Sequence, residues 1–118
     1  MFNFEKLDVW HKAIDFADVI YDHTRGFPPN ERFGLTNQLR RAAVSISSNI
    51  AEGSSRSSTG DFARFVEIAT GSVFEVVSQS FIARRQTFLS EAHFRTIYEA
   101  GEEQSRMLSW LRKSLLAN

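Results

Sequence analysis

The chain has 118 residues, no cysteine, and 14 lysines and arginines against 14 aspartates and glutamates. This length suits one domain with a single core, the lack of cysteine excludes disulfides and thiolate chemistry, and zero net charge excludes a general electrostatic attraction to nucleic acid or anionic membranes. We find no signal-peptide order and no apolar run near the ~20 residues that span a bilayer, so we expect a cytoplasmic protein without membrane contact.

The first predicted helix covers residues 7–24 and ends before Gly26-Phe27-Pro28-Pro29, because two prolines cannot continue a helical hydrogen-bond ladder. Two adjacent apolar seams cover about half of the circumference of this helix. Their members are Leu7, Trp10, Ile14, Ala17 and Tyr21 in one seam, and Val9, Ala13, Phe16 and Ile20 in the other.

A row of polar side chains lies opposite these seams, formed by His11, Asp15, Asp18 and Asp22. Such a row could bind a divalent cation. Metal sites in helical bundles, however, project into the core with a Glu-x-x-His motif, which this sequence lacks. We therefore interpret the row as a solvated acidic face, available for docking a partner, and expect no metal.

The second predicted helix covers residues 31–53, with Asn30 as its N-cap. Its apolar stripe is flanked by a stripe of small, hydrogen-bonding residues where a solvated helix would carry lysine and glutamate. The members of this polar stripe are Gln38, Arg41, Ser45, Ser48 and Glu52. The composition of the stripe indicates a contact surface, or small residues that permit close helix packing.

Two further helices are predicted at residues 59–85 and 91–116, with Ser58 and Ser90 as N-caps. Short connections favour an up-and-down four-helix bundle of residues 1–118. The apolar arcs are wider than one core requires, which favours a homo-oligomer over a monomer with a large core. The candidate interface residues are Val9, Phe16, Ile20, Phe74 and Phe81.

One block is highly specific: Arg40-Arg41-Ala42-Ala43-x-Ser45-Ile46-x-x-Asn49-Ile50-Ala51-Glu52-Gly53. With Phe4-x-x-Leu7-x-Val9-Trp10 before it and Gly71-Ser72-Val73-Phe74-Glu75-Val76 after it, the chain resembles the bacterial proteins first recognised as products of intervening sequences in large-subunit ribosomal RNA genes. The family usually has Gly-Ser-Leu-x-Glu-Leu in the third helix, so this chain differs there only in packing detail.

This resemblance implies an all-α, left-handed four-helix bundle that assembles into a ring, most often a homopentamer. It implies no established activity. A related group, the accessory determinant of diversity-generating retroelements, is also a pentameric bundle and is thought to bind nucleic acid and a reverse transcriptase. The present chain lacks that group's strongly basic charge.

Our first functional hypothesis is a non-enzymatic, ring-forming scaffold that binds RNA, DNA or a ribonucleoprotein through arginine-bearing surfaces. The alternative is a protein–protein adaptor with no nucleic-acid binding. The candidate contacts are Arg40, Arg41, Ser45, Ser48, Glu52, Arg56, Arg64, Arg84 and Arg85. For Arg41 the competing interpretation is neutralisation by Glu67, by Glu75 or by a neighbouring subunit.

Asn49 lies on the core stripe, where we interpret it as a structural polar residue that fixes register or assembly state. An enzyme with an intersubunit site at Arg41, Asn49 and Glu52 is the third class considered. No nucleophile elbow, phosphate-binding glycine loop or His-Glu-x-x-His motif supports catalysis. We predict no catalytic residue and no cofactor.

Overall fold

The computed structural model describes residues 1–117 and contains four long helices. They are α1 (Asp8–Thr24), α2 (Leu35–Ser54), α3 (Thr59–Arg85) and α4 (Glu91–Leu116). Two short 3-10 turns, Asn3–Lys6 and Pro29–Glu31, precede α1 and α2. No strand occurs within this part of the chain, so the predicted all-α class is confirmed.

Each helix packs on its neighbours in sequence, and α1 also packs on α4, which closes a four-sided arrangement. The result is a rod with extents of 47 × 21 × 20 Å. This packing order is the one expected when short connections join antiparallel helices. The left hand of the bundle and its closure into a ring stay predictions.

The start of α2 differs from the prediction. Residues Pro29–Glu31 form a 3-10 turn, and α2 begins only at Leu35, so the predicted start at residue 31 with Asn30 as cap was wrong. The Glu31 carboxylate instead accepts a hydrogen bond from the Leu35 amide at 3.1 Å. A glutamate side chain thus satisfies a free N–H group of the first turn.

The other predicted caps are confirmed. The Ser58 hydroxyl accepts a hydrogen bond from the Asp61 amide at 3.1 Å, and the Ser90 hydroxyl accepts one from the His93 amide at 3.0 Å. Between α3 and α4, Thr87 has a φ of 67°. This left-handed conformation follows the end of many helices, where the residue is usually glycine.

The core takes apolar side chains from all four helices. From α1 it takes the second of the two predicted seams, which includes Val9, Phe16 and Ile20. The proposal that these three residues form a subunit interface must be corrected, because a side chain buried within one chain offers no surface to another. The first seam lies at the outer edge, where Ile14 and Tyr21 are exposed.

Glycine allows close helix contact at two places in the core. A Cβ atom on Gly53 of α2 would lie 2.7 Å from the Cβ atom of Phe65 on α3. A Cβ atom on Gly101 of α4 would lie 2.6 Å from a methyl group of Val77 on α3. At both places the facing side chain of α3 occupies the space that the methyl group of an alanine would need.

Helix α3 is long and apolar enough, by length and composition alone, to meet a criterion for a membrane span. It meets this criterion by average composition and not through an uninterrupted apolar run, because α3 contains Glu67 and Glu75. Core helices of bundles meet the same criterion, and Val66, Ala69 and Val76 of α3 are buried against the other helices.

Candidate nucleic-acid interface

Only part of the polar stripe of α2 contacts α3: its half-buried centre makes internal hydrogen bonds, whereas most of its other members are exposed. Ser45 is half-buried, and its hydroxyl lies 2.9 Å from the Asn49 amide nitrogen and 3.0 Å from the Ser72 hydroxyl of α3. Asn49 also donates to the Ser45 carbonyl at 2.8 Å. Ser45 and Asn49 thus belong to the packing between α2 and α3, whereas Ser48 is exposed.

Asn49 itself is half-buried, and both of its hydrogen bonds go to its own helix. The prediction that it is a polar residue of the core is therefore corrected. The fully buried amide is Gln104 of α4, which donates to the Val9 carbonyl at 3.2 Å and joins α4 to α1.

Arg41 is exposed, and the predicted neutralisation within the chain is wrong. Glu67 binds Arg112 of α4 instead, with a distance of 2.7 Å between Nε and Oε1. Glu75 accepts a hydrogen bond from Gln79 at 3.1 Å. Arg41 has no carboxylate within ion-pair distance among residues 1–117.

Arg40 points the other way, toward α1. Its Nε donates to the Thr24 hydroxyl at 2.9 Å, its Nη2 donates to the Tyr21 carbonyl at 3.4 Å, and its guanidinium lies 4.6 Å from the centre of the Tyr21 ring. These contacts hold the guanidinium in place with its positive charge unmatched by any described carboxylate.

Two more candidate arginines are engaged in the fold. Arg56 pairs with Glu52 at 3.6 Å and lies over the Phe65 ring. Arg84 pairs with Glu91 at 3.3 Å and lies 3.9 Å from the Phe94 ring centre. Arg64 and Arg85 are exposed on α3, with no ion pair in the described part of the chain.

A cleft of about 590 Å³ opens between the end of α1 and the start of α2, and we call it the arginine cleft. Three arginines line it, and none of the side chains that line it is acidic. The lining residues are Tyr21, Arg32, Phe33, Thr36, Asn37, Arg40, Arg41, Val44 and Ser45. Arg32, like Arg40 and Arg41, has no ion pair within residues 1–117.

Local sequence explains which side chains line the cleft. The turn at Pro28-Pro29 brings Arg32 and Phe33 to the mouth, and one and two helical turns later Asn37, Arg40 and Arg41 follow along α2. The arrangement offers several N–H donors to an anion.

Outside the cleft, two other predicted surfaces are exposed. Phe74 and Phe81, on the side of α3 next to α4, are 64% and 41% exposed and stay candidates for a subunit interface. The acidic row of α1 is exposed, and its Asp22 pairs with Arg25 at 3.4 Å. No cluster of three or more metal-ligand side chains occurs among the described residues.

At the same end of the bundle, His23 of α1 stacks on His93 of α4 with 4.1 Å between ring centres. Burial lowers the pKa of His23 below its ordinary value of 6.5, and the neighbouring His93 lowers it further, while Asp22 opposes the shift. The folded chain therefore favours a neutral imidazole at this position.

Residues 5–110 match the family model described as 23S rRNA-intervening sequence protein. The chain belongs to this family. No curated protein matches it. Among solved structures, the intervening-sequence fold recurs in a protein of unknown function from the S23 ribosomal protein family of Bacteroides thetaiotaomicron, with a TM-score of 0.82 and 23% identity over 89% of this chain and 98% of the other.

The resemblance predicted from the central block is thereby confirmed, and with it the all-α fold of four helices. Neither the matching family model nor the similar solved structure is described as an enzyme. Sequence reasoning missed Arg32 and Phe33 as members of a site. The available signal was an arginine–phenylalanine pair in the turn directly before the helix that carries Arg40 and Arg41.

Proposed function

We propose that this protein is a non-enzymatic, homo-oligomeric scaffold that binds the phosphates of RNA or DNA in the arginine cleft. The carrying observation is that three arginines without a described carboxylate partner line one cleft that has no acidic side chain. Arginine binds phosphate through several parallel N–H donors, so such a cleft suits a phosphate backbone.

The assembly we propose is a ring, with the pentamer of the family resemblance as its expected size. Apolar side chains are exposed on two different helices outside the arginine cleft: Ile14 on α1, and Phe74 and Phe81 on α3. Two different faces on one chain favour head-to-tail contacts, which close into a ring when the rotation permits. Cytoplasmic location is part of the same proposal, and it is consistent with the absence of cysteine.

The first test measures mass and bound nucleic acid together. The protein is purified in low salt, and light-scattering mass is recorded with the 260/280 nm absorbance ratio across the size-exclusion peak. We expect a particle of about five chain masses with excess, nuclease-sensitive absorbance at 260 nm. A monomer would refute the ring, and clean protein absorbance would count against nucleic-acid binding.

The second test locates the contact. We expect Arg41→Gln to weaken binding of a labelled RNA, measured by fluorescence anisotropy, whereas Arg64→Gln, which removes an equally exposed and unpaired arginine from α3, leaves it unchanged. Three phosphate contacts predict that log K falls with log salt concentration with a slope of about −2 for a single strand. A slope near zero would exclude phosphate binding.

A protein–protein adaptor is the second candidate. It is favoured by the zero net charge and by the exposed acidic row of α1, which provides a docking surface of one sign. This function predicts that the oligomer purifies without bound nucleic acid. It also predicts that a variant with the charges of the acidic row reversed loses its protein partner. Retained RNA binding by the charge-reversed variant would favour the scaffold.

A further inference from the structure

Phe33 stands at the mouth of the arginine cleft with 84% of its surface exposed. Its ring makes one described contact of the aromatic type, with the Arg32 guanidinium at 5.3 Å from the ring centre. Phe2 and Phe81, also exposed, each contact another aromatic ring, whereas Phe33, Phe74 and Trp110 have no such partner among the described residues. Of these three rings, Phe33 is the one that lines the arginine cleft. An apolar ring held in water is unfavourable unless something covers it.

The backbone fixes the point from which this ring projects. Pro28 and Pro29 restrict the turn that precedes it, the Arg32 amide donates to the Pro29 carbonyl at 3.2 Å, and the Gly34 amide donates to the Glu31 carbonyl at 3.0 Å. The ring therefore projects from a hydrogen-bonded turn between two regular elements. An aromatic side chain has only two χ angles, so its ordering on binding costs little conformational entropy.

We propose that Phe33 is the stacking surface for an unpaired base whose phosphates lie on the cleft arginines, so that the ligand is single-stranded nucleic acid. This inference rests on the proposed function and names its ligand class. A nucleotide is a planar ring joined to an anion, and the cleft presents an exposed aromatic ring beside three guanidinium groups. Aromatic stacking with a positively charged groove is the chemistry by which proteins hold single strands.

The distribution of charge argues against a duplex ligand. A duplex hides its base faces and offers phosphates along its length, so its binders need an extended basic surface. Here the other arginines without a described ion pair, Arg64, Arg85 and Arg106, lie on α3 and α4, away from the cleft between α1 and α2. The positive surface is short and contains a ring that a duplex could not use.

Binding measurements on the purified protein test the inference. Anisotropy titrations use a labelled single-stranded RNA of about 12 nucleotides and the matching labelled duplex, and calorimetry measures the binding of inorganic tripolyphosphate. We expect the single strand to bind at least tenfold more tightly than the duplex. Phe33→Ala should weaken the single strand about tenfold and leave tripolyphosphate binding unchanged, because only the nucleotide has a base to stack. Phe33→Trp should retain single-strand binding, and Phe2→Ala, which removes an exposed ring outside the cleft, should change neither ligand.

Contrary outcomes distinguish failure of the stacking role of Phe33 from failure of the proposed nucleic-acid binding. Equal loss of RNA and tripolyphosphate in Phe33→Ala, equal binding of duplex and single strand, or a mononucleotide that binds as tightly as the strand would overturn the inference and leave a phosphate cleft. A lower particle mass for Phe33→Ala would overturn it by placing Phe33 in a subunit contact. Absence of RNA binding by the unaltered protein would refute the proposed function itself.

Discussion

Helix α2 has two flanks that differ in what they contact. The flank toward α3 carries serine, asparagine and glycine, and its polar atoms meet Ser72 and Gln79 of α3 at hydrogen-bond distance. The flank toward α1 carries Arg40 at the edge of a cleft that also exposes Tyr21 and Phe33. One flank is closed by its own helix neighbour, while the other leaves charge and aromatic surface unmatched.

The difference follows from side-chain size and type. Small hydrogen-bonding residues let two helices approach and satisfy each other, so they report on packing. Guanidinium groups without carboxylate partners keep their solvation and their capacity to bind an anion, so they stay available to a ligand. A conspicuous polar stripe on a helix can therefore be structural, and the neighbouring arginines can carry the function.

Gly53→Ala should cause the largest loss of stability on the closed flank. The added Cβ would meet the Cβ atom of Phe65 at 2.7 Å, and that atom is fixed to the α3 backbone, so the helices must separate. We expect the free energy of unfolding to fall by about 1–3 kcal/mol in chemical denaturation.

Gly71→Ala is the matched control, because a Cβ at Gly71 on the exposed face of α3 would meet no atom within 4 Å. This change should raise the free energy of unfolding by about 0.5–1 kcal/mol through the higher helix propensity of alanine. Equal effects at both glycines would show that the close approach of α2 and α3 has been misjudged.

Ser72→Ala tests the polar link of the closed flank. It removes the hydroxyl that lies 3.0 Å from the Ser45 hydroxyl, and we expect a loss of about 1 kcal/mol in unfolding free energy with no change in RNA affinity. Thermal and chemical denaturation measure the first quantity, and anisotropy measures the second. A loss of RNA affinity at constant oligomer mass would move the binding site to the α3 flank.

Arg40→Gln and Arg41→Gln compare two adjacent arginines on the open flank. The first removes hydrogen bonds to Thr24 and Tyr21, so it should lower the free energy of unfolding by about 1 kcal/mol as well as RNA affinity. The second should lower RNA affinity with a change in stability below about 0.5 kcal/mol. Equal stability losses would mean that Arg41 also supports the fold.

Acidification should have the smallest effect on the free energy of unfolding, and it acts on His23 of α1. The folded chain lowers the pKa of His23, so below pH 6.5 the unfolded chain takes up the proton first and the free energy of unfolding falls as pH falls, down to the lowered pKa of the folded state. Above pH 6.5 this contribution is complete and does not vary. In His23→Asn the slope of stability against pH between 5 and 7 should decrease, and an unchanged slope would assign it to other groups.

Capping residues and helix periodicity predicted the features that depend on neighbouring residues in the sequence. Ser58 and Ser90 are capping residues by their side-chain geometry alone, and the bounds of α3 and α4 agree with the prediction. The predicted start of α2 was wrong because Pro29–Glu31 form a 3-10 turn, and the Glu31 carboxylate then accepts a hydrogen bond from the Leu35 amide. That alternative depends on the specific turn and is not a property of helical periodicity.

Contacts between helices lay beyond the sequence. Periodicity showed two apolar seams on α1, and only the packed structure decides that the seam with Phe16 faces the core and the seam with Ile14 the edge. The arginine cleft combines Tyr21 of α1 with Arg32 and Arg40, residues that no single periodic pattern connects. The members of such a site become visible only once α1 and α2 are placed together.

The hydrogen bond from Gln104 to the Val9 carbonyl spans almost the whole chain and joins its first and last long helices. All other helix pairs in the bundle are consecutive in sequence, so their contacts require only short loops to close. The α2–α3 hairpin is therefore expected to form early, and docking of α1 onto α4 to come last, because it closes the longest loop. A chain emerging from the ribosome must therefore have synthesised α4 before α1 can reach its final partner.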